Sequence, residues 1–128
     1  MEKIIYEYCL VRYVPDLERG EFVNVGLLMM CKKQKWMKCE IDINETRIER
    51  LSGPVNISLL KKQSEVFTRT DVPFKDLPTE EKYRWLAAVK SAILQTSPTH
   101  PGILFSEPTD FVNSLNQKFD QLFNRLVK

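Results

Sequence analysis

Ile4-Ile5-Tyr6-Glu7-Tyr8-Cys9-Leu10-Val11-Arg12-Tyr13-Val14 is the stretch from which the fold is read. β-Branched and aromatic residues dominate it, and such side chains suit a pleated, half-buried backbone better than a helix. Successive side chains of a strand point to opposite faces. The run therefore divides into Tyr6, Tyr8, Leu10, Arg12 and Val14 on one side, and Ile5, Glu7, Cys9, Val11 and Tyr13 on the other. Both sets are mostly apolar, the pattern of a strand in the middle of a sheet. Turn-forming Pro15-Asp16 and Arg19-Gly20 then break the run, and Glu21 to Lys32 reads as a second strand. After the polar Lys33-Gln34-Lys35, Trp36 to Ile43 alternates well enough to be a third. Connections this short make an antiparallel meander the natural topology.

Working outward, helices follow. Asn44 is placed to cap a short helix through Leu51, with Gly53-Pro54 as its stop. Asn56 is placed to cap a second, with Ile57, Leu59, Leu60, Val66 and Phe67 as its apolar positions. Val72 to Pro78 carries two prolines and reads as a loop. Thr79 is the expected N-cap of a third helix, where Glu80 and Glu81 complement the positive end of the helix dipole and Tyr83, Leu86 and Val89 or Ala87 face the core. Ser91 to Gln95 reads as a fourth strand, and Thr96 to Gly102, with two prolines and a glycine, as a loop. Pro108 suits the first turn of a last helix. There Val112, Leu115, Phe119, Leu122 and Leu126 form an apolar stripe, flanked by Phe111, Phe123 and Val127. The expected class is α+β: an antiparallel sheet of about four strands, by the runs just given, with helices on one face, the amphipathic C-terminal one included.

A chain of 128 residues, 43% hydrophobic and 28% charged, has the length of a single domain over 1–128 and an ordinary globular composition. At this size roughly two-thirds of the unfolded surface is buried, so neither a cofactor nor a metal is needed for folding and none is expected. A net charge of +2 permits a nucleic-acid partner without arguing for one. The N-terminus lacks the apolar core of a signal peptide, and the run Val23 to Cys31 is too short to span a bilayer. Cys9, Cys31 and Cys39 are an odd number of thiols in apolar strands, which points to reduced cysteines in the cytoplasm. No Cys-x-x-Cys and no paired histidines suggest a metal site.

Arg12 lies on a strand that is apolar on both sides, and a buried guanidinium is costly unless acceptors meet it. Glu7, Glu21 and Asp16 are its candidate partners, and a structural ion pair fixing the first hairpin is the preferred reading over an anion-binding arginine at a cleft. Asn24 and Gly26 alternate along the second strand and so share a face. If the register sets Arg12 opposite Asn24, the three outline one small polar floor. Gly20 is expected at positive φ, and Arg19 beside it is expected in solvent. His100 is the single histidine, with Ser97 three residues before it. That pair invites a nucleophile–base arrangement, but it lacks an orienting third group and a Gly-x-Ser-x-Gly elbow, so an ordinary loop histidine is the better reading. Lys32, Lys33, Lys35 and Lys38 around Trp36 have the make-up of a nucleic-acid patch, though lysines at a hairpin tip more often serve solubility. Trp85, beside Arg84, reads as a core residue that could stack on that arginine.

Two blocks together resemble a bacterial family. Tyr8-Cys9-Leu10-Val11-Arg12-Tyr13-Val14-Pro15-Asp16 with Arg19-Gly20-Glu21-Phe22-Val23-Asn24-Val25-Gly26 is similar to the opening signature of domain of unknown function 3037. Lys82-Tyr83-Arg84-Trp85-Leu86 with Ile93-Leu94-Gln95-Thr96-Ser97-Pro98 and His100 is similar to its second. The resemblance runs nearly end to end and is least distinctive in the middle helices. It places the motif on Arg12, Arg19, Glu21, Asn24, Gly26, Arg84, Trp85, Ser97 and His100. Where the family pattern has a proline after the third helix, this chain has Val89. The resemblance implies no established activity. It also implies gene neighbours that include kinase-like proteins similar to the HipA toxin family, hence an accessory role beside a protein partner. The expected function is therefore a non-enzymatic interaction module. The alternative is an enzyme or binding protein for a phosphate-bearing or nucleic-acid ligand, in which Arg12, Arg19 and Arg84 neutralise an anion, Asn24 orients it and His100 moves a proton.

Overall fold

The computed structural model describes residues 1–16, 19–68, 76–89 and 93–128, the side chain of Asp16 excepted. Its spine is β1 (Glu2–Asp16), fifteen residues long. It pairs on one side with β2 (Glu21–Cys31), which pairs in turn with β3 (Trp36–Ile41), giving the expected antiparallel meander. Its other side is shared by two short strands in tandem. β4 (Leu94–Thr96) takes Val11 to Tyr13, and β5 (His100–Ser106) takes Glu2 to Tyr8. The sheet thus has five strands where about four were expected. The extra one, β5, begins inside the expected loop Thr96 to Gly102 and runs on to Ser106.

Backbone geometry explains why proline is tolerated there. Val14 N–H donates to Ile93 O and Ser97 N–H to Leu10 O, both at 2.8 Å, so even-numbered residues of β1 turn their backbone groups toward β4 and β5. By the register Tyr8↔His100 to Glu2↔Ser106, Pro101, Ile103 and Phe105 then turn theirs outward, and the N–H that proline lacks is one that β1 never needed.

The helices are α1 (Glu45–Ser52), α2 (Ile57–Ser64), α3 (Thr79–Ala87) and α4 (Phe111–Leu126). Asn44 and Asn56 cap the first two as expected, accepting from Arg47 N–H and Leu59 N–H at 3.0 Å each. Thr79 does not cap α3. Pro78 stands at the cap position with an extended ψ of 151°, and Thr79 is already the first helical residue. The part of the expected loop at Val72 to Pro78 that precedes Asp76, and Ser91 and Ala92 of the expected fourth strand, lie outside the described residues.

The α+β class holds, with the helices divided between two faces rather than gathered on one. Cys9, Val11, Tyr13, Val23, Val25, Leu28 and Met30 pack against Ile48 of α1, Leu60 of α2 and Tyr83 and Leu86 of α3. Ile4, Tyr6, Leu10, Leu27, Met29 and Cys31 pack against Leu115, Phe119, Leu122 and Phe123 of α4. A strand apolar on both sides needs cover on both, and each helix layer buries one set. Val112, expected in the α4 stripe, is 53% exposed. Along β2 the inward set changes parity between Val25 and Leu28. A bulge there sets two residues of β2 against one step of β1, between Val11↔Gly26 and Arg12↔Asn24.

Candidate functional site

The bulge decides what surrounds Arg12. The register does set Arg12 opposite Asn24. Gly26, however, is not on their face. A Cβ there would approach Ile41 Cδ1 to 2.5 Å, Glu40 O to 2.9 Å and Val11 Cβ to 3.2 Å, all on the side of α1 to α3. Its role is close backbone packing, not the floor of a site. Asn24 faces α4 and its Nδ2 donates to Leu126 O at 3.0 Å. Arg47 of α1 reaches round the sheet to the same place, where Nη1 donates to Val127 O at 2.6 Å and Nη2 to Asn24 O at 2.7 Å. The last carbonyls of a helix lack partners within it, and these two side chains supply them for α4. Nothing in the sequence marks Arg47 for this task, because its position in the first turn of α1 is one where a solvated arginine is unremarkable.

Arg12 contributes no hydrogen bond there. Its guanidinium lies 4.1 Å from the centroid of the Phe22 ring, a cation–π contact. Its Nε and the Oδ1 of Asn24 are both buried without a hydrogen-bond partner. The expected ion pair does not form, because Glu7 lies on the other face of β1 and Glu21 is held by Arg19. Glu7 bonds Arg84 at 2.6 Å, and Glu21 bonds Arg19 at 2.8 Å. The Asp16 side chain lies outside the described residues.

Ser97 and His100 make no hydrogen bond to each other. Ser97 is buried at the junction of β4 and β5, where the edge strand breaks. Its hydroxyl accepts the Leu10 N–H at 2.8 Å and donates to Pro98 O at 2.9 Å. Leu10 would otherwise face a gap in the ladder, so the serine stands in for a strand carbonyl. His100 is exposed on β5, its ring 5.4 Å from that of Tyr8.

Arg84 lies on the opposite side of the sheet from Arg12. It joins α3 to β1 through Glu7, with Glu80 at 3.8 Å, and stacks on the ring of Tyr83 rather than of Trp85. Trp85 is 53% exposed, not core. It faces outward with Val66, Glu81 and Val89 in a groove of about 820 Å³. The lysines around Trp36 do not gather on its ring: Lys32 and Lys33 line a cleft beside α3, and Lys38 turns to α4. Lys32 bonds Glu80 at 2.9 Å, while Lys38 lies 3.9 Å from Asp120 and over the Phe119 ring. Trp36 packs into the α4 core. Arg12 with Asn24, Arg84 with Trp85, and His100 therefore occupy three separate places.

The structure brings together residues that the sequence does not single out. α1 to α3 cover only part of their face. Beyond them Ile5, Ile103 and Phe105 are 57%, 56% and 63% exposed, and Ile5 pairs directly with Ile103. This bare area is continuous with a cleft of about 620 Å³ beside α3, lined by Lys3, Ile5, Met30, Lys33, Arg84 and Pro101 among others. Large adjacent apolar side chains left in solvent mark interaction surfaces more often than scattered ones do.

Burial holds three groups more firmly in their neutral, protonated form. Desolvation pushes the Cys39 thiol up, with Cys9 and Glu40 adding to it. It raises the Tyr83 hydroxyl, which also bonds Thr99 Oγ1 at 3.1 Å, and that of Tyr6. All three cysteines are free thiols. Among the described residues no three His, Cys, Asp or Glu side chains are grouped to hold a metal ion, and no helix is long and apolar enough to cross a membrane.

The sequence profile of the family described as Protein of unknown function (DUF3037) matches residues 8–127, and the chain belongs to that family. No curated protein and no solved structure matches it.

Proposed function

We propose that this member of the DUF3037 family is a non-enzymatic accessory module of the bacterial cytoplasm. In this reading it binds a protein partner through the bare sheet face beside α3, and a kinase-like protein encoded nearby is the first candidate. The observation that carries the reading is the row of Ile5, Ile103 and Phe105, exposed side by side on β1 and on the outer strand β5, which pairs with β1 alone among the described residues. An apolar edge strand of this kind is a template for association, and proteins that do not use such edges blunt them with charge. The test is affinity purification of the tagged chain from its host, comparing wild type with Ile103→Ser/Phe105→Ser and with Arg12→Ala/Arg19→Ala. One protein recovered near stoichiometry and lost only in the first variant is the expected result. Recovery unaffected by Ile103→Ser/Phe105→Ser would overturn the choice of surface. Turnover of a substrate that is abolished by His100→Ala in a folded protein would overturn the non-enzymatic reading.

One observation favours a second reading, binding of an anion at the first hairpin: the buried, unpartnered Nε of Arg12. It predicts that inorganic phosphate shifts the Arg12 Nε NMR resonance saturably. An unmoved resonance would dispose of it.

A further inference from the structure

We infer that the segment this surface takes is an extended peptide of a partner protein, apolar and acidic in composition. The inference rests on the interaction reading above and adds the chemistry of the partner.

The geometry sets the length. Three cross-strand pairs line the bare face in order: Glu7↔Pro101, Ile5↔Ile103 and Lys3↔Phe105. Consecutive rows are two residues apart, roughly 7 Å, so the three span about 14 Å, the length of some four extended residues. The apolar floor continues past the cleft onto Ile103 and Phe105, neither of which lines it. A compact small molecule filling the cleft would leave both in water. An extended chain lying across the rows covers them.

Charge sets the composition. Among the described residues the cleft is lined by Lys3, Lys32, Lys33 and Arg84 against Glu7 and Glu80. Both carboxylates are committed: Glu7 to Arg84 at 2.6 Å, and Glu80 to Lys32 at 2.9 Å with Arg84 at 3.8 Å. Lys3 and Lys33 have no carboxylate partner among the described residues, and both are exposed. The surface therefore offers an apolar centre and two uncommitted ammonium groups at its rim. A chain bringing apolar side chains to the centre and carboxylates to the rim complements both, whereas a basic chain meets two like charges.

Eight-residue fluorescein-labelled peptides of alternating Leu-Glu, Leu-Lys and Ser-Glu test this by anisotropy at low ionic strength. The Leu-Glu peptide is expected to bind roughly tenfold more tightly than Leu-Lys, about 1.4 kcal/mol. Ser-Glu is expected to bind more weakly than Leu-Glu. The preference for Leu-Glu over Leu-Lys should reverse in Lys3→Glu/Lys33→Glu and disappear in the neutral Lys3→Gln/Lys33→Gln. Equal binding of Leu-Glu and Leu-Lys, each lost in Ile103→Ser/Phe105→Ser, would overturn the acidic assignment and leave the interaction reading standing. Failure of every peptide, with a host partner still captured through Ile103 and Phe105, would overturn the peptide in favour of a folded surface. Self-association abolished by Phe105→Ser would make the occupant a second copy. Binding of single-stranded oligonucleotide lost in Lys3→Gln/Lys33→Gln would make it a nucleic acid. Either of these also overturns the inference.

Discussion

Replacing Ser97 by alanine separates a structural serine from a chemical one. The hydroxyl accepts the Leu10 N–H at 2.8 Å where the edge strand breaks, and Leu10 is 8% and Ser97 4% exposed. Alanine removes the acceptor and leaves a buried amide unpaired, at a cost of about 1–3 kcal/mol. The other bond lost runs to the carbonyl of Pro98, an exposed residue that water can serve, and adds little. A loss of about 2 kcal/mol raises the unfolded fraction roughly thirtyfold and lowers the melting temperature by roughly 8 °C for a chain of this length. Urea denaturation should show the midpoint falling by about 1 M at unchanged slope. Hydrogen exchange should show the Leu10 amide losing protection while the β1–β2 amides keep theirs. His100→Ala, at an exposed position, should stay within about 0.5 kcal/mol of wild type. Ser97→Ala with undiminished stability and an unchanged Leu10 amide would refute the reasoning and return Ser97 to the list of chemical candidates.

Arg47→Ala removes two charge-assisted bonds, to Val127 O and Asn24 O, and should destabilise by about 2–3 kcal/mol, with hydrogen exchange rising first in the last turn of α4. Stability unchanged in urea would show that α4 is held without it. The raised Tyr83 hydroxyl ties stability to alkaline pH. The unfolded chain releases this proton near its ordinary value of 10.0 while the folded one keeps it. The contribution is thus complete below pH 10 and declines above it, by about 1.4 kcal/mol per pH unit. The Cys39 thiol adds a decline of the same sign from its ordinary value of 9.0. Tyr83→Phe should remove the tyrosine part of this slope in urea titrations between pH 10 and 11, and an unaltered slope would contradict the assignment.

Much of the frame was legible in the residues. The two apolar faces of Ile4 to Val14 identified the central strand, and Asn44 and Asn56 marked two helix starts because their side chains replace missing backbone acceptors. What escaped has identifiable causes. β5 was hidden by Pro101 and Gly102, and its alternation is inverted, with Ile103 and Phe105 outward. A pattern that assumes apolar side chains face the core reads such a strand as loop. Gly26 was assigned to the face of Asn24 because one inserted residue in β2 reverses every side chain beyond it, and no composition signal announces a bulge. Nearness in sequence offers Arg12 the carboxylates of Glu7 and Glu21, but Glu7 points to the other face of β1 and Arg19 holds Glu21. The exposed apolar row could not be found without the register of β1 against β5, a pairing between the two ends of the chain.

That pairing also has a consequence in time. The β1–β2 hairpin can close as soon as it is made, but the partner of the Leu10 amide lies 87 residues further along. At ribosomal speeds of about 5–20 residues per second, the wait is on the order of 4–17 s. Throughout it the Glu2–Tyr8 edge stands open on a nascent chain already carrying apolar side chains on both faces. Synthesis halted before His100 would release a polypeptide whose Glu2–Tyr8 edge has no strand to pair with. Every pause in synthesis before His100 therefore lengthens the time for which this edge of β1 stands open.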